Sequence, residues 1–227
     1  MAINRARTAF AQVFYQRCFY LIVAVLALIV AVLLLEPTPR GRIVLNVANV
    51  LVVVAAVAAV GRTQLSFVFA LLMATPALLF QWLAIDEGDS RFLLHSWAFG
   101  AVLYASTVGF LLRYVFQRDV MTADKLYGAA AAYLMIGVLW SYLYAIANHL
   151  QPGSFAFGGA VASPLFGDLL YFSFTTLTST GFGDAVPLLR YVRGLCVLEQ
   201  LTGALFLAIL IARLAGVYPP GREQAGT

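Results

Sequence analysis

Thr178-Ser179-Thr180-Gly181-Phe182-Gly183-Asp184 is the stretch on which the fold of this chain turns. Its hydroxyls and glycines interrupt a sequence that is otherwise strongly apolar. The segment before it, residues 164–178, is apolar and helix-compatible despite its threonines, and shorter than the roughly 20 residues needed to cross a bilayer. A short apolar helix followed by a Thr/Gly loop suits a re-entrant element. Irregular backbone at membrane depth is stable only when protein shelters it or when it lines a water-filled path. Gly181 and Gly183 alternate with larger residues. Carbonyls that all face one side need alternating backbone signs, which glycine tolerates because it lacks Cβ. Such a row of oxygens can replace the water around a cation. Ser179 adds a hydroxyl oxygen at one end, and the negative C-terminal end of the preceding helix favours a cation beyond it.

The rest of the chain fits a membrane setting. Of 227 residues, 63% are hydrophobic and 11% charged, whereas a soluble domain carries roughly a quarter charged residues. Hydropathy marks six spans, near 17–35, 43–60, 64–85, 92–114, 126–149 and 191–217. The positive-inside rule orients them. Arg5, Arg7, Arg17, Arg62, Arg113, Arg118, Lys125, Arg213 and Arg222 fall on one side, and Arg40, Arg42, Arg91, Arg190 and Arg193 on the other. Nine against five places both termini in the cytoplasm, with Arg40 and Arg42 dissenting. No cleavable signal peptide is expected, because the first apolar run is too long for one. The net charge of +4 is dispersed over span boundaries, which argues against nucleic acid as a partner. Cys18 and Cys196 fall inside spans and read as packing residues without a disulfide.

The stretch 178–184 resembles the signature T-[TS]-x-G-[YF]-G-D of the tetrameric potassium channel family. The likeness continues outside it. Pro187 follows Asp184 by three residues, Arg193 opens the last span, and Gly203 lies 22 residues after Gly181, at the family's spacing for an inner-helix hinge. The resemblance covers about 122–217, and the first four spans match the family in number only. It implies K+ sites built from the carbonyls of Ser179, Thr180, Gly181 and Phe182 and the Ser179 hydroxyl, in a filter that runs on through Gly183. It further implies filter support from Tyr171, Thr175, Thr176, Thr178, Asp184 and Glu199, with Gly203 as a gating hinge. One loop cannot encircle an ion, so the resemblance also implies a homotetramer whose sixth spans line the inner cavity.

Several residues depart from the family pattern. Phe182 lacks the hydroxyl of the commoner Tyr, which implies a filter less tightly braced from behind, and Tyr171 and Phe172 stand where many members have Trp. Thr180 replaces Val or Ile, so its hydroxyl needs a partner: either it is accommodated there, or it relaxes selectivity. Thr175 stands where some relatives carry a Glu that pairs with the filter-end Asp, so Asp184 needs another partner. Glu199 is an acid inside the sixth span. Two roles stay open for it: a neutral structural acid, or a group that bonds filter-supporting hydroxyls and senses protons. Arg213 near the inner end reads as snorkelling toward lipid headgroups.

No arginine array appears in the fourth span, where only Arg113 stands at the inner end, and spans one to three lack acidic countercharges. His95 and His149 read as isolated boundary residues. Small residues at 55–61 and 128–132 suggest close helix packing. No paired carboxylates, His/Cys cluster or nucleophile–base pair suggests an enzyme. The chain therefore reads as an all-α membrane protein of six transmembrane helices. A re-entrant pore helix and filter loop lie between helices five and six, and the subunits assemble as a tetramer. Residues 1–121 form a four-helix scaffold without voltage sensing, 122–218 the pore domain, and 219–227 a short cytoplasmic tail with no ligand-sensing domain. The expected activity is passive, voltage-independent K+ conduction in the cell (inner) membrane, in contact with membrane lipids and with no cofactor beyond the permeant ion. Two alternatives stand beside it: a weakly selective monovalent cation channel, and a potassium transporter subunit. Transporters of that kind join four degenerate loops in one chain, and this chain has one.

Overall fold

A run of Leu, Ile, Val and Ala in lipid has no water to bond its backbone, and a helix satisfies every internal N–H and C=O within one segment. The computed structural model describes residues 17–34, 47–56, 64–87, 90–117, 122–161 and 163–217, most of them helical. In chain order the elements are α1 (Arg17–Leu34), α2 (Val47–Ala56), α3 (Gln64–Glu87), α4 (Ser90–Val115), α5 (Ala123–Leu150), β1 (Phe155–Phe157), β2 (Ala160–Val161), α6 (Phe166–Leu177), β3 (Ala185–Pro187) and α7 (Arg190–Val217). A helix thus lies in each of the six apolar runs. Four stretches are long and apolar enough to cross a membrane: Arg17–Leu34, Phe92–Val115, Ala123–Leu150 and Arg190–Gly216. The apolar parts of α2 and α3, Val47–Ala56 and Leu71–Phe80, are shorter. This is an α-helical membrane protein. The tail 219–227, much of the small-residue stretch 55–61, and Arg5, Arg7, Arg40, Arg42, Arg62, Arg118 and Arg222 lie outside the described residues.

The molecule is built around α5, which packs against α1, α4, α6 and α7. Small residues make this possible. Gly128, Ala129, Ala131 and Ala132 are all buried, and a Cβ on Gly128 would stand 3.3 Å from Cys18 Sγ of α1. From α1, Cys18, Leu21, Val25 and Leu28 form a buried stripe at helical spacing in the same core. Asp124, in the first turn of α5, draws three helices together. Its carboxylate accepts the Cys18 N–H at 3.0 Å and the Tyr114 hydroxyl at 2.8 Å.

The connection from α4 to α5 is short, so the two run as antiparallel neighbours. Along that seam Gly100 admits the Tyr142 ring at 3.2 Å from an added Cβ, and the Tyr104 and Tyr142 rings lie 5.5 Å apart. Near the other end His149 packs edge-on against Trp97, and His95 lies beside Phe80. Cys18 and Cys196 are both buried, and neither forms a disulfide.

Beyond α5 the chain makes a small sheet in the order β2-β1-β3, with both pairings antiparallel. Gly158 and Gly159 take positive φ (58° and 82°) and close the β1–β2 hairpin, as a tight two-residue turn requires. Pairing of β1 with β3 sets Phe155 opposite Pro187 and Phe157 opposite Ala185. This sheet is an addition to the all-α reading; strands of two or three residues are too short to show a period. Between the hairpin and β3 lies α6, 12 residues or about 18 Å long, started by Asp168, whose carboxylate accepts the Leu165 N–H at 2.8 Å. Finally α7 buries Val192, Cys196, Glu199, Gly203 and Phe206 on one stripe and leaves large apolar side chains exposed elsewhere. Near its end, Arg213 does more than snorkel: its guanidinium donates to the Gln117 carbonyl at 2.8 Å, tying α7 to the tail of α4.

The contact at Gly128 is testable. Gly128→Leu is expected to overpack the α1–α5 seam, lower the thermal midpoint in detergent and cost about 1–3 kcal/mol. Pairing it with Cys18→Ala should recover part of the loss, and an unchanged midpoint would contradict the packing.

Candidate ion pathway

The loop that follows α6 hangs from its last turn. Thr178 caps the helix, with its N–H donating to the Phe174 carbonyl at 3.1 Å and its hydroxyl to the same oxygen at 2.7 Å. Ser179 N–H then donates to the Thr176 carbonyl at 2.9 Å. The N–H groups of Thr180 and Gly181 both donate to the Thr175 carbonyl, at 2.9 and 3.2 Å. Backbone φ is positive at Ser179 (55°), Gly181 (52°) and Gly183 (83°) and not at the residues between them. This is the alternation expected from the two glycines, extended one residue back onto a serine. A non-glycine residue held there costs about 1–3 kcal/mol and persists where its surroundings over-determine it.

Every residue singled out as ion-binding (Ser179, Thr180, Gly181, Phe182 and Gly183) is exposed in the single chain, and Phe182 is 70% exposed. The supporting residues are brought to them. Thr180 finds its hydroxyl partner in Thr178, at 2.7 Å. Asp184 finds one in Tyr171, whose phenol donates to the carboxylate at 2.9 Å. The Tyr171 and Phe182 rings are parallel within 5°, with centroids 6.4 Å apart, inside the range of aromatic contact. Thr175 serves through its carbonyl, while its hydroxyl turns back to the Phe172 carbonyl at 2.9 Å; Thr176 is buried. On the far side, the Asp184 carbonyl accepts Gly158 N–H at 2.7 Å, which fastens the loop to the hairpin.

Glu199 lies behind α6, fully buried, and is bonded to hydroxyls on two other helices. Ser173 Oγ of α6 is 2.5 Å from one carboxyl oxygen, and the Tyr144 hydroxyl of α5 bonds the other. Ser173 Oγ is also 2.7 Å from the Gly137 carbonyl, and Cys196 Sγ is 3.5 Å from the Tyr144 hydroxyl. A Cβ on Gly137 would stand 2.7 Å from the Phe174 ring, so any side chain there would force that ring to shift. Sequence reasoning found Glu199 but missed Tyr144, Ser173 and Gly137. The available signal was a buried acid's need for hydroxyl partners within one helix diameter.

Gly203 sits where α7 crosses the end of α6. A Cβ there would collide with the Leu177 carbonyl oxygen. Tyr133 of α5 places its hydroxyl 3.5 Å from the same carbonyl. The glycine is required by this backbone contact, independently of any hinge.

Residues 128–218 match the family model described as Ion channel. This match supports a pore-loop potassium channel family for the segment. The channel segment runs from within α5 to the end of α7 and contains every site residue named above. No curated protein and no solved structure gives a significant match to the chain.

The Gly203 contact of the channel predicts a sign. In an ordinary helix, Gly→Ala stabilises by about 1 kcal/mol. Gly203→Ala is instead expected to destabilise by about 1–3 kcal/mol, through overpacking against Leu177, read as a lower thermal midpoint in detergent. A raised midpoint would leave Gly203 as a hinge with no packing duty.

Proposed function

We propose that the chain is a subunit of a potassium-selective, voltage-independent channel, a homotetramer in which four copies of the loop 178–184 surround the conduction path. The observation that carries this is the alternating φ at 179, 181 and 183 within a sequence that fits the family's filter signature. Alternating signs allow successive carbonyls to face one axis, as K+ coordination requires. The ions would be held by the carbonyls of Ser179, Thr180, Gly181 and Phe182 and by the Ser179 hydroxyl. The short α6 would re-enter the membrane from the outer side, its negative end toward the inner cavity. The exposure of the loop in one chain, and the apolar side chains that α7 leaves uncovered at Val197, Leu198, Leu201 and Leu205, support closure by sister subunits and lipid.

Six spans with both termini cytoplasmic is the topology that this function favours, with α1–α4 as a scaffold. Voltage independence follows from charge: the apolar stretch Phe92–Val115 carries Arg113 as its one basic residue. A weakly selective cation pore is the second reading, raised by Thr180 standing where the family carries an apolar side chain, although the bond of its hydroxyl to Thr178 weighs toward accommodation.

Liposomes containing the purified protein are expected to pass K+ well ahead of Na+, with little change in conductance across membrane potentials. Gly181→Ala forces a side chain onto φ 52° and should abolish the flux without unfolding the protein. Equal K+ and Na+ reversal potentials would favour the second reading, and a steep conductance–voltage curve would refute voltage independence.

A further inference from the structure

The hydrogens around Glu199 can be counted. A serine hydroxyl has one hydrogen to donate and two lone pairs with which to accept. Ser173 Oγ stands between two oxygens, the Gly137 carbonyl at 2.7 Å and Glu199 Oε1 at 2.5 Å. If Glu199 were a carboxylate, both neighbours would be pure acceptors, and the single Ser173 hydrogen could serve only one of them. The other contact would press two oxygens together with no proton between, inside a region closed to water. A neutral Glu199 removes the conflict: Oε1–H donates to Ser173 Oγ, Ser173 donates to the Gly137 carbonyl, and the Tyr144 hydroxyl donates to Oε2. The Cys196 thiol, 3.5 Å from the Tyr144 oxygen, can donate to it and complete the series.

The groups around Glu199 are hydroxyls and a thiol, with no positive charge among the described residues to hold a carboxylate. From α5 the titratable groups facing Glu199 are Tyr144 and, within electrostatic reach, Tyr133. Its own helix adds Cys196, and α6 adds Ser173, which carries no charge. Among the described residues no basic side chain pairs with Glu199.

We infer that Glu199 is kept as a neutral acid, and that its one proton fastens α7 to α6 and, through Ser173, to α5, making it a positioning residue for the loop 178–184. Building on the channel reading, this assigns the pore a proton-dependent brace. Ser173 lies in the turn before Thr175 and Thr176, whose carbonyls hold the loop. When alkaline conditions remove the proton, Ser173 cannot satisfy both neighbours, and the hold on α6 loosens. The sign is definite: the brace is present while the acid is protonated and is lost as pH rises.

The full chain in lipid bilayers can be titrated by infrared spectroscopy alongside K+ flux from liposomes. A protonated-carboxyl C=O band is expected at neutral pH, fading toward alkaline pH and missing from Glu199→Gln. Wild-type flux should fall over the same pH range, while Glu199→Gln, unable to ionise, should lose that part of the pH dependence. Should this variant fail to assemble, Ser173→Ala is the second probe: the band should persist but shift, because the acid has lost its acceptor. Absence of the band from the wild type at neutral pH, an unshifted band in Ser173→Ala, or a Glu199→Gln flux profile that follows the wild type would each overturn the inference. A band that behaves as expected in a protein carrying no flux would overturn the channel reading and leave the proton on Glu199.

Discussion

Backbone N–H groups outside regular structure need partners, and in the first half of the loop after α6 they look backward. Thr178, Ser179, Thr180 and Gly181 each donate to a carbonyl of Phe174, Thr175 or Thr176. The first half of the loop therefore goes where the end of α6 goes, while Asp184 ties its other end to the hairpin. That helix is held on every side by contacts that exclude ordinary side chains or need particular hydroxyls. Gly137 meets Phe174, Gly203 meets Leu177, and a Cβ on Gly167 would reach 3.3 Å from the Val32 carbonyl of α1. Ser173 bonds α5 and α7 together. Glycine at an approach of this kind is a packing requirement as strict as a large core side chain.

The outer helices join this arrangement through α5. The Asp124 carboxylate gathers α1, α4 and α5 at one end. The Tyr142 ring then sits between Gly100 and Tyr104 of α4 on one side and the Phe166 ring of α6, 5.0 Å away, on the other. A displacement of α4 or α1 is therefore felt at the start of α6, through packed rings at Phe166 and a backbone contact at Gly167.

Local features were legible in the sequence. Each apolar run contains a helix, the short one, expected near 164–178, spans 166–177 despite its threonines, and the glycine alternation gives the φ pattern of the loop. The positive φ of Ser179 was not legible, because serine is not chosen for that conformation; hydrogen bonds from the last turn of α6 impose it. Pairings between distant residues were equally hidden. Asp184 was expected to need a partner, but only the three-dimensional path shows that Tyr171 supplies it. The sheet escaped for the same reason, since β1 and β3 are strands only by virtue of each other. Glu199 stood out as an acid among apolar residues, whereas Tyr144 and Ser173 look unremarkable until the three helices meet.

The crossing of α7 over α6 has a mechanical consequence. Because the contact at Gly203 is backbone against backbone, α7 has a fulcrum there whether or not its own dihedrals bend. The arm from Gly203 to Val217 is roughly 21 Å long at 1.5 Å per residue. A tilt of about 10° about the fulcrum would carry its far end some ~4 Å sideways on that same geometry, while Leu177 scarcely moved. That far end is where Arg213 grips the Gln117 carbonyl at the tail of α4. The lever is thus fixed near the loop and tethered at its tip, and a pull on α4 would move the far end of α7 with leverage that the loop end does not share.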